Sequence, residues 1–179
     1  MKHILPILTI TTLAAAASAQ TAVAAPAGLS YNRVTVSRSG QENVLAAEAL
    51  LGSSNVLATI SNTSAGTAYS LGYVFKNVAF GVDATLSIGA GDAANHSNYS
   101  VTLRRSLSEV IPGLEARVFV SQNDGAGAAI VGGQSRPATA ASTDATFELQ
   151  YNITKQYAVA FSVTDGAENI QTVSFRYNF

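Results

Sequence analysis

Apolar and polar residues alternate along most of the chain from residue 29 onwards. The pattern is clearest in three C-terminal segments, 145–154, 157–164 and 172–179. Between Ala145 and Ile153 every second residue is apolar and each residue between is polar. A period of two over eight to ten residues places alternate side chains on opposite faces of a strand, and it excludes a helix with one apolar face. We therefore predict three consecutive β-strands here.

The same alternation predicts seven more strands upstream, at 29–38, 44–51, 56–61, 68–75, 80–88, 99–104 and 115–121. In the first of these the alternation slips, which requires either a bulge near Asn32-Arg33 or a later start. Segment 44–51 is rich in Ala, Leu and Glu, which also favour helix. This segment decides the strand number, so ten strands are predicted and eight are the alternative.

The predicted connections alternate in length. Gly52–Asn55, Lys76–Asn77 and Lys155–Gln156 are tight turns, and the turn at 108–113 is slightly longer. Most of the other connections are longer, up to residues 122–143. Short turns at one end and long loops at the other are typical of a closed antiparallel up-and-down transmembrane β-barrel. An even strand number places both chain termini at the short-turn end.

The polar phase of the predicted strands carries four positive and four negative charges. They are Arg33, Glu48, Asp83, Arg104, Glu115, Arg117, Glu148 and Arg176. In a membrane barrel this phase lines the lumen and the apolar phase faces lipid. An unpaired buried charge is strongly destabilising. We therefore predict that these residues form a salt-bridged lumen charge network without a wide pore.

The composition agrees with a surface that does not face water throughout. Charged residues make up 12% of the chain, about half the usual share. The absence of cysteine excludes disulfides and thiolate metal sites. The net charge is −1 and no basic block is present, so nucleic acid is not an expected partner.

The first residues predict a targeting segment. A basic start, Met1–His3, precedes fourteen mostly apolar residues, Ile4–Ala17, a stretch too short to span a bilayer comfortably. Ala17-Ser18-Ala19 matches a signal-peptidase site. We therefore predict a signal peptide at 1–19, with an alternative end at 25, followed by a barrel domain at 26–179.

Aromatic residues group by end of the predicted strands. Tyr73, Phe75, Phe80, Tyr157, Tyr177 and Phe179 lie beside the short turns or the C-terminus. Tyr69, Tyr99 and Phe147 lie towards the long loops. Aromatic rings favour the membrane–water interface, so the first group predicts one interfacial girdle and the second a sparser one.

The C-terminal strand carries the most specific motif: Val173, Phe175, Tyr177 and Phe179 share one face, and the sequence ends on Phe179. With the predicted signal peptide and strand pattern, the chain resembles the small outer-membrane β-barrels of double-membraned bacteria. The nearest group is the opacity-protein and outer-membrane-protein-A transmembrane-domain type, which usually has eight strands. The resemblance implies an assembly signal in this strand that the barrel-assembly machinery reads. It also implies an outer-membrane location in contact with the lipid bilayer and lipopolysaccharide.

The resemblance leaves the function open, because its members include structural proteins, adhesins, narrow channels and a few enzymes. We expect a structural or surface-interaction role, with residues 89–98 and 122–143 meeting any surface ligand. The first alternative is a narrow, porin-like channel for small solutes. The second is a secreted soluble β-sandwich adhesin.

Candidate chemistry is sparse. His96 is the only histidine beyond residue 3, and it lies in a predicted loop beside Ser97 and near Asp92. A single histidine without a second orienting group makes a weak catalytic site, so we expect no enzyme, with a rim enzyme using His96 as the alternative. The acidic loop residues are dispersed and lack a calcium-loop spacing, so no metal or cofactor is expected.

Overall fold

A computed structural model describes residues 29–39, 42–64, 66–91, 98–123, 129–131, 134–136, 141–165 and 169–179. The predicted signal peptide and His96 lie outside these residues. Ten strands form one closed antiparallel barrel: β1 Arg33–Ser39, β2 Glu42–Leu50, β3 Val56–Thr63, β4 Gly66–Ala79, β5 Val82–Gly91, β6 Asn98–Ser106, β7 Leu114–Asn123, β10 Ser142–Asn152, β11 Tyr157–Asp165 and β12 Ile170–Asn178. A separate hairpin, β8 Ala129–Val131 and β9 Gln134–Arg136, lies in the connection from β7 to β10. No helix within the described ranges is long and apolar enough to cross a membrane.

The ladder closes where the first strand meets the last. Strand β1 pairs with β12 from Arg33 opposite Asn178 to Ser39 opposite Thr172, and it pairs with β2 on its other side. Closure leaves no sheet edge with unpaired backbone groups. The predicted closed antiparallel barrel of ten strands is therefore confirmed, including the ambiguous segment 44–51. One closed sheet contradicts the β-sandwich alternative.

The alternation of side chains sets an apolar outside and a polar inside. Along β11, Val159, Phe161 and Val163 are exposed outwards, whereas Ala160 and Ser162 are buried. Strands β10 and β12 repeat this pattern, with buried Gln150 and Arg176 among exposed apolar residues. This arrangement reverses that of a soluble protein and is the one that a membrane barrel requires.

The first strand begins at Arg33, so the later start is correct and a bulge at Asn32-Arg33 is not needed. The preceding residues turn into the barrel, where Tyr31 is buried. Two hydrogen bonds of Asn32 fix this segment. Its Oδ1 accepts from the Leu50 N–H at 2.9 Å, and its carbonyl accepts from the Phe179 N–H at 3.1 Å. The two termini of the barrel are thereby bound to the same end of the sheet.

The predicted turn at Lys76–Asn77 is wrong. Strand β4 continues to Ala79, and the turn is Phe80–Gly81. Both turn residues have positive φ angles, 51° and 74°, as in the two-residue type I′ turns that suit hairpins. Phe80, predicted as the first residue of a strand, is instead the tip of this turn.

A bulge at Asn77 explains the error. The pairing of β4 with β5 shifts between Phe75 and Ala79, and Asn77 has a φ of 52°. The Asn77 N–H donates to Asp83 Oδ1 at 2.7 Å, and its own Oδ1 accepts from the Gly81 N–H at 3.1 Å. Asparagine tolerates this left-handed backbone conformation, so it forms a bulge within the strand and does not end it.

The two ends of the barrel differ in their connections. We name the end with both termini and connections 51–55, 80–81, 107–113 and 153–156 the terminal end, and the opposite end the loop end. At the loop end, β1 to β2 and β3 to β4 are joined by only two residues each, so these two connections are shorter than predicted. Ladder pairs extend those strands to Ser39–Glu42 and Thr63–Gly66. The longer loop-end connections are 92–97, 124–141 and 166–169, so residues 89–91, 98, 122–123 and 142–143, predicted as loop, belong to strands.

Candidate functional site in the barrel lumen

Seven charged side chains form a belt inside the lumen, in the half nearest the terminal end. We name this set the charged belt: Arg33, Glu48, Arg104, Glu115, Arg117, Glu148 and Arg176. Strand pairing places them side by side, because Arg33 lies opposite Glu48 and Arg117 lies opposite both Arg104 and Glu148. The structure therefore brings together seven of the eight charged residues that alternation assigned to the inner phase.

Three arginines of the charged belt each hold a carboxylate closely. Arg33 Nε lies 2.5 Å from Glu48 Oε1, and Arg104 Nη2 donates to Glu115 Oε2 at 3.0 Å. Arg176 donates two hydrogen bonds to Glu148, from Nη1 to Oε1 at 2.9 Å and from Nη2 to Oε2 at 2.5 Å. A two-pronged contact of this kind fixes both side chains and offsets part of the desolvation of the buried charges.

The fourth arginine is held more loosely. Arg117 Nη1 approaches Glu148 Oε1 only to 3.9 Å, and both oxygens of that carboxylate already accept from Arg176. The guanidinium carbon of Arg117 lies 5.6 Å from the Phe119 ring centre, within the range of a cation–π contact. Arg117 therefore carries the excess positive charge of four arginines over three glutamates.

Gln150 connects the ion pairs and was missed by the sequence reasoning. Its Oε1 accepts from Arg33 Nη1 at 3.0 Å and from Arg176 Nη1. Its Nε2 donates to Glu115 Oε1 at 3.3 Å and to Asn152 Oδ1 at 2.8 Å. The alternation does place Gln150 on the inner face of β10. It was missed because the lumen network was predicted from charged residues, and the amide of Gln150 is neutral.

Asp83, the eighth predicted residue, lies apart from these ion pairs. Its Oδ2 accepts from the Tyr31 hydroxyl at 2.6 Å, and its Oδ1 accepts from the Asn77 N–H at 2.7 Å. Tyr31 precedes the first membrane strand, and burial, together with the bond to Asp83, raises the pKa of its hydroxyl above the ordinary value. The hydroxyl therefore stays a donor at neutral pH.

An apolar cluster lies below the charged belt, at the terminal end of the lumen. We name it the terminal plug: Leu29, Tyr31, Leu50, Leu57 and Val74. The guanidinium carbon of Arg104 lies 4.6 Å from the Tyr31 ring centre. Its Nη2 donates to the Ser30 carbonyl at 2.9 Å. The charged belt and the terminal plug are thus packed layers across one lumen.

The terminal plug was also missed by the sequence reasoning. Leu57 and Val74 occupy the inner phase of β3 and β4, where most residues are polar or small. That break in the alternation was the signal that could have found it. Tyr31 carried no such signal, because the position of residues 29–32 inside the barrel depends on where β1 begins.

Small side chains line the lumen between the charged belt and the loop end. Two cavities of about 310 Å³ and 220 Å³ extend into this region, and Tyr31 and Leu57 of the terminal plug also border the smaller one. Hydroxyl groups contribute to the walls of both cavities, from Thr35, Ser37, Ser39, Thr59, Ser61, Ser70, Thr85, Ser87, Ser100, Thr102, Ser162, Thr172 and Ser174. Glu48, Thr59 and Arg117 border both cavities. Among the residues that the structure describes, no cluster of three His, Cys, Asp or Glu side chains could hold a metal ion.

The predicted assembly-signal residues lie at the seam where the barrel closes. Val173, Phe175 and Tyr177 are exposed on the outer face of β12, and Phe179 follows the strand. The Tyr157 ring stacks with Phe175 at a centroid distance of 5.9 Å and lies 5.5 Å from Tyr177. These rings form part of an aromatic band at the terminal end, where rings suit a membrane interface.

Comparisons with known proteins give low similarity. No family model matches the sequence, and no curated protein matches it. A solved KdgM porin is 12% identical, with a TM-score of 0.47, covering 82% of this chain and 99% of that one. KdgM porin in complex with disordered oligogalacturonate is 15% identical, with a TM-score of 0.43, covering 83% and 98%. A chain from work on in-meso crystallization of membrane proteins is 13% identical, with a TM-score of 0.45, covering 83% and 84%. Because these TM-scores are all below 0.5, the three similarities support no conclusion about the function of this chain.

Proposed function

We propose that this protein is an integral outer-membrane β-barrel of a double-membraned bacterium whose lumen is closed by its own side chains, with a structural or surface-interaction role. The observation that carries the proposal is the succession of two layers across one lumen. The charged belt joins β1, β2, β6, β7, β10 and β12 by ion pairs. Below it the terminal plug packs Tyr31 against Leu57 and Val74.

The two layers would resist opening for different reasons. Separating a buried ion pair leaves charges without partners, at about 3–5 kcal/mol for each pair broken. Expelling the Tyr31 ring from the terminal plug would expose apolar surface and break its bond to Asp83. A barrel of this kind is a rigid membrane element, and its variable parts are the loop-end connections. Residues 92–97 and 124–141 are the segments that would contact a surface ligand.

We also propose a more specific family for this protein. The outward aromatics of β12 support two proposals: kinship with the opacity-protein and outer-membrane-protein-A group, and recognition of this strand by the barrel-assembly machinery. Ten strands depart from the eight that are usual in that group. Export by a signal peptide at 1–19, or 1–25, and contact with lipopolysaccharide are proposed on the same resemblance.

A narrow channel is the second candidate, because cavities of about 310 Å³ and 220 Å³, with hydroxyl groups in their walls, already lie in the lumen. Conduction would require displacement of the terminal plug and of part of the charged belt.

Single-channel recording in planar bilayers tests the closed barrel against the channel. We expect the native protein to insert without a steady unitary conductance. We expect Tyr31→Ala to raise the frequency of open events at least tenfold, because it removes the central side chain of the terminal plug. Tyr99→Ala, on the outer face near the loop end, is the matched control and should leave the recording unchanged. Steady conductance of the native protein would instead establish the channel.

A further inference from the structure

The charged belt has four arginines and three glutamates, and the arginine without a close carboxylate, Arg117, borders both cavities of the lumen. Arg33, Arg104 and Arg176 each have a carboxylate oxygen within 3.0 Å, whereas Arg117 has none closer than 3.9 Å. Its side chain is 24% exposed, against 2–4% for the other three. Arg117 is therefore the arginine whose charge is least compensated within the described part of the lumen.

Hydrogen-bond donors around this point lack partners. Arg117 Nε is buried without a hydrogen-bond partner among the described residues, and so is Nη1 of Arg104, whose side chain is only 3% exposed. Arg104 borders the smaller cavity, and Arg117 borders both. Buried donors that lack acceptors are destabilising unless a ligand or water supplies an acceptor.

The walls of the two cavities suit a small polar solute. Apart from the charged belt, the larger cavity presents Thr and Ser hydroxyls with small apolar side chains. The Phe119 ring, 5.6 Å from the Arg117 guanidinium carbon, contacts one side of that guanidinium. The carboxylate that borders both cavities, Glu48, lies 2.5 Å from Arg33 Nε and 3.8 Å from Arg104 Nη1. A planar guanidinium with free donors matches the oxygen pair of a carboxylate or phosphate.

We propose that Arg117, with Arg104 and the adjoining hydroxyls, forms a lumenal binding site for a small oxyanion, a carboxylate or a phosphate, that enters from the loop end. The bound oxygens accept from the guanidinium of Arg117, whose side chain is 24% exposed, and neutralise the excess charge of the belt. The site goes beyond the proposed function and does not depend on conduction, because a solute can occupy either cavity while Tyr31 and Leu57 of the terminal plug, which border the smaller one, stay in place.

Calorimetric titration of the purified barrel in neutral detergent micelles tests the site, with inorganic phosphate and acetate as probes at constant ionic strength. The native protein should show one saturable site for at least one probe. Arg117→Gln should weaken binding by at least tenfold, because it removes the charge and the fork of donors. Arg105→Gln is the matched control: Arg105 lies on the neighbouring strand β6, its side chain is 41% exposed, and it pairs with Glu109 at 2.5 Å. It should bind as the native protein does.

Folding is checked by the shift between boiled and unboiled protein on a gel. If Arg117→Gln does not fold, Arg117→Lys carries the test, and it should bind about tenfold more weakly because one charge-assisted hydrogen bond is lost. Absence of saturable binding to the native protein would overturn the proposal. Equal loss of binding in the Arg105 and Arg117 variants, or native-like binding by folded Arg117→Gln or Arg117→Lys, would also overturn it.

Discussion

A neutral side chain links the charged residues of the lumen. Gln150 is buried and bonds to Arg33, Arg176 and Glu115. An amide can accept from two cations and donate to two acceptors at once. No charged residue could do this without repelling one of its neighbours. The charged belt therefore depends on an uncharged residue at its centre.

Replacing Gln150 with leucine should destabilise the barrel by about 2 kcal/mol, because it leaves buried charged groups with fewer partners. The measurement is urea unfolding in lipid vesicles. Gln156→Leu is the control, because Gln156 is exposed in the connection between β10 and β11. Its free energy of unfolding should stay within about 0.5 kcal/mol of the native value. Equal effects of the two substitutions would contradict the central position of Gln150.

The location of these residues was readable from the sequence, but their pairing was not. Alternation places Arg104 and Glu115 on the inner face because the period of a strand is two. Which carboxylate each arginine reaches depends on strand register and on side-chain length across the lumen. That is why Asp83, directly opposite Arg104 on β5, binds Tyr31 while Arg104 reaches Glu115.

At the scale of elements, the hairpin from β4 to β5 combines a bulge with a tight turn. Gly81 has a φ of 74°, and a Cβ added there would meet no atom within 4 Å. Any effect of substitution is therefore due to backbone conformation and not to crowding. The exposed fraction of Phe80 beside it is 89%, which suits a ring in the membrane interface but not a residue chosen for turn geometry.

Two substitutions at Gly81 should distinguish the effect of backbone conformation from that of side-chain volume. Gly81→Ala should lower the free energy of unfolding by about 1–2 kcal/mol, the usual penalty of a left-handed backbone for a residue with Cβ. Gly81→Asn should lower it by less, because asparagine visits that region readily. Urea unfolding of both variants provides the measurement. A larger loss for asparagine than for alanine would mean that side-chain volume, and not the φ angle, governs this position.

The error at Lys76–Asn77 has a local cause. Asparagine after a charged residue between two alternating segments is a common turn signal, and Asn77 does adopt a turn-like φ. The ladder resumes at Ala79 opposite Val82, and only tertiary pairing decides whether such a residue ends a strand or bulges within it.

At the scale of the whole molecule, the apolar face of every long strand points away from the centre. Aliphatic and aromatic side chains on β4, β5, β10, β11 and β12 are exposed, while arginine and glutamate are buried inside. Such an exterior needs lipid or detergent around it, so a charge on this face should be destabilising in proportion to its depth.

Two lysine substitutions measure this depth dependence. Phe161 lies at the middle of β11 and faces outwards, so Phe161→Lys should cost about 2–4 kcal/mol in lipid vesicles. Ile153 is exposed in the connection at the terminal end, so Ile153→Lys should cost at most about 1 kcal/mol. Urea unfolding in vesicles gives both values. Similar losses at the two positions would mean that the outer face does not cross a bilayer.

The sequence by itself determined the strand period, the polarity of the two faces and the closed antiparallel architecture, because alternation and turn chemistry are local properties. Tertiary structure alone decided the position of Tyr31, the hydrogen-bond partners of Gln150 and the greater distance between Arg117 and its nearest carboxylate. These follow from barrel closure, which brings β1 against β12 and places residues 117 positions apart, Arg33 and Gln150, within 3.0 Å of each other. Contacts across the lumen depend on strand number and register together, and no local pattern encodes both.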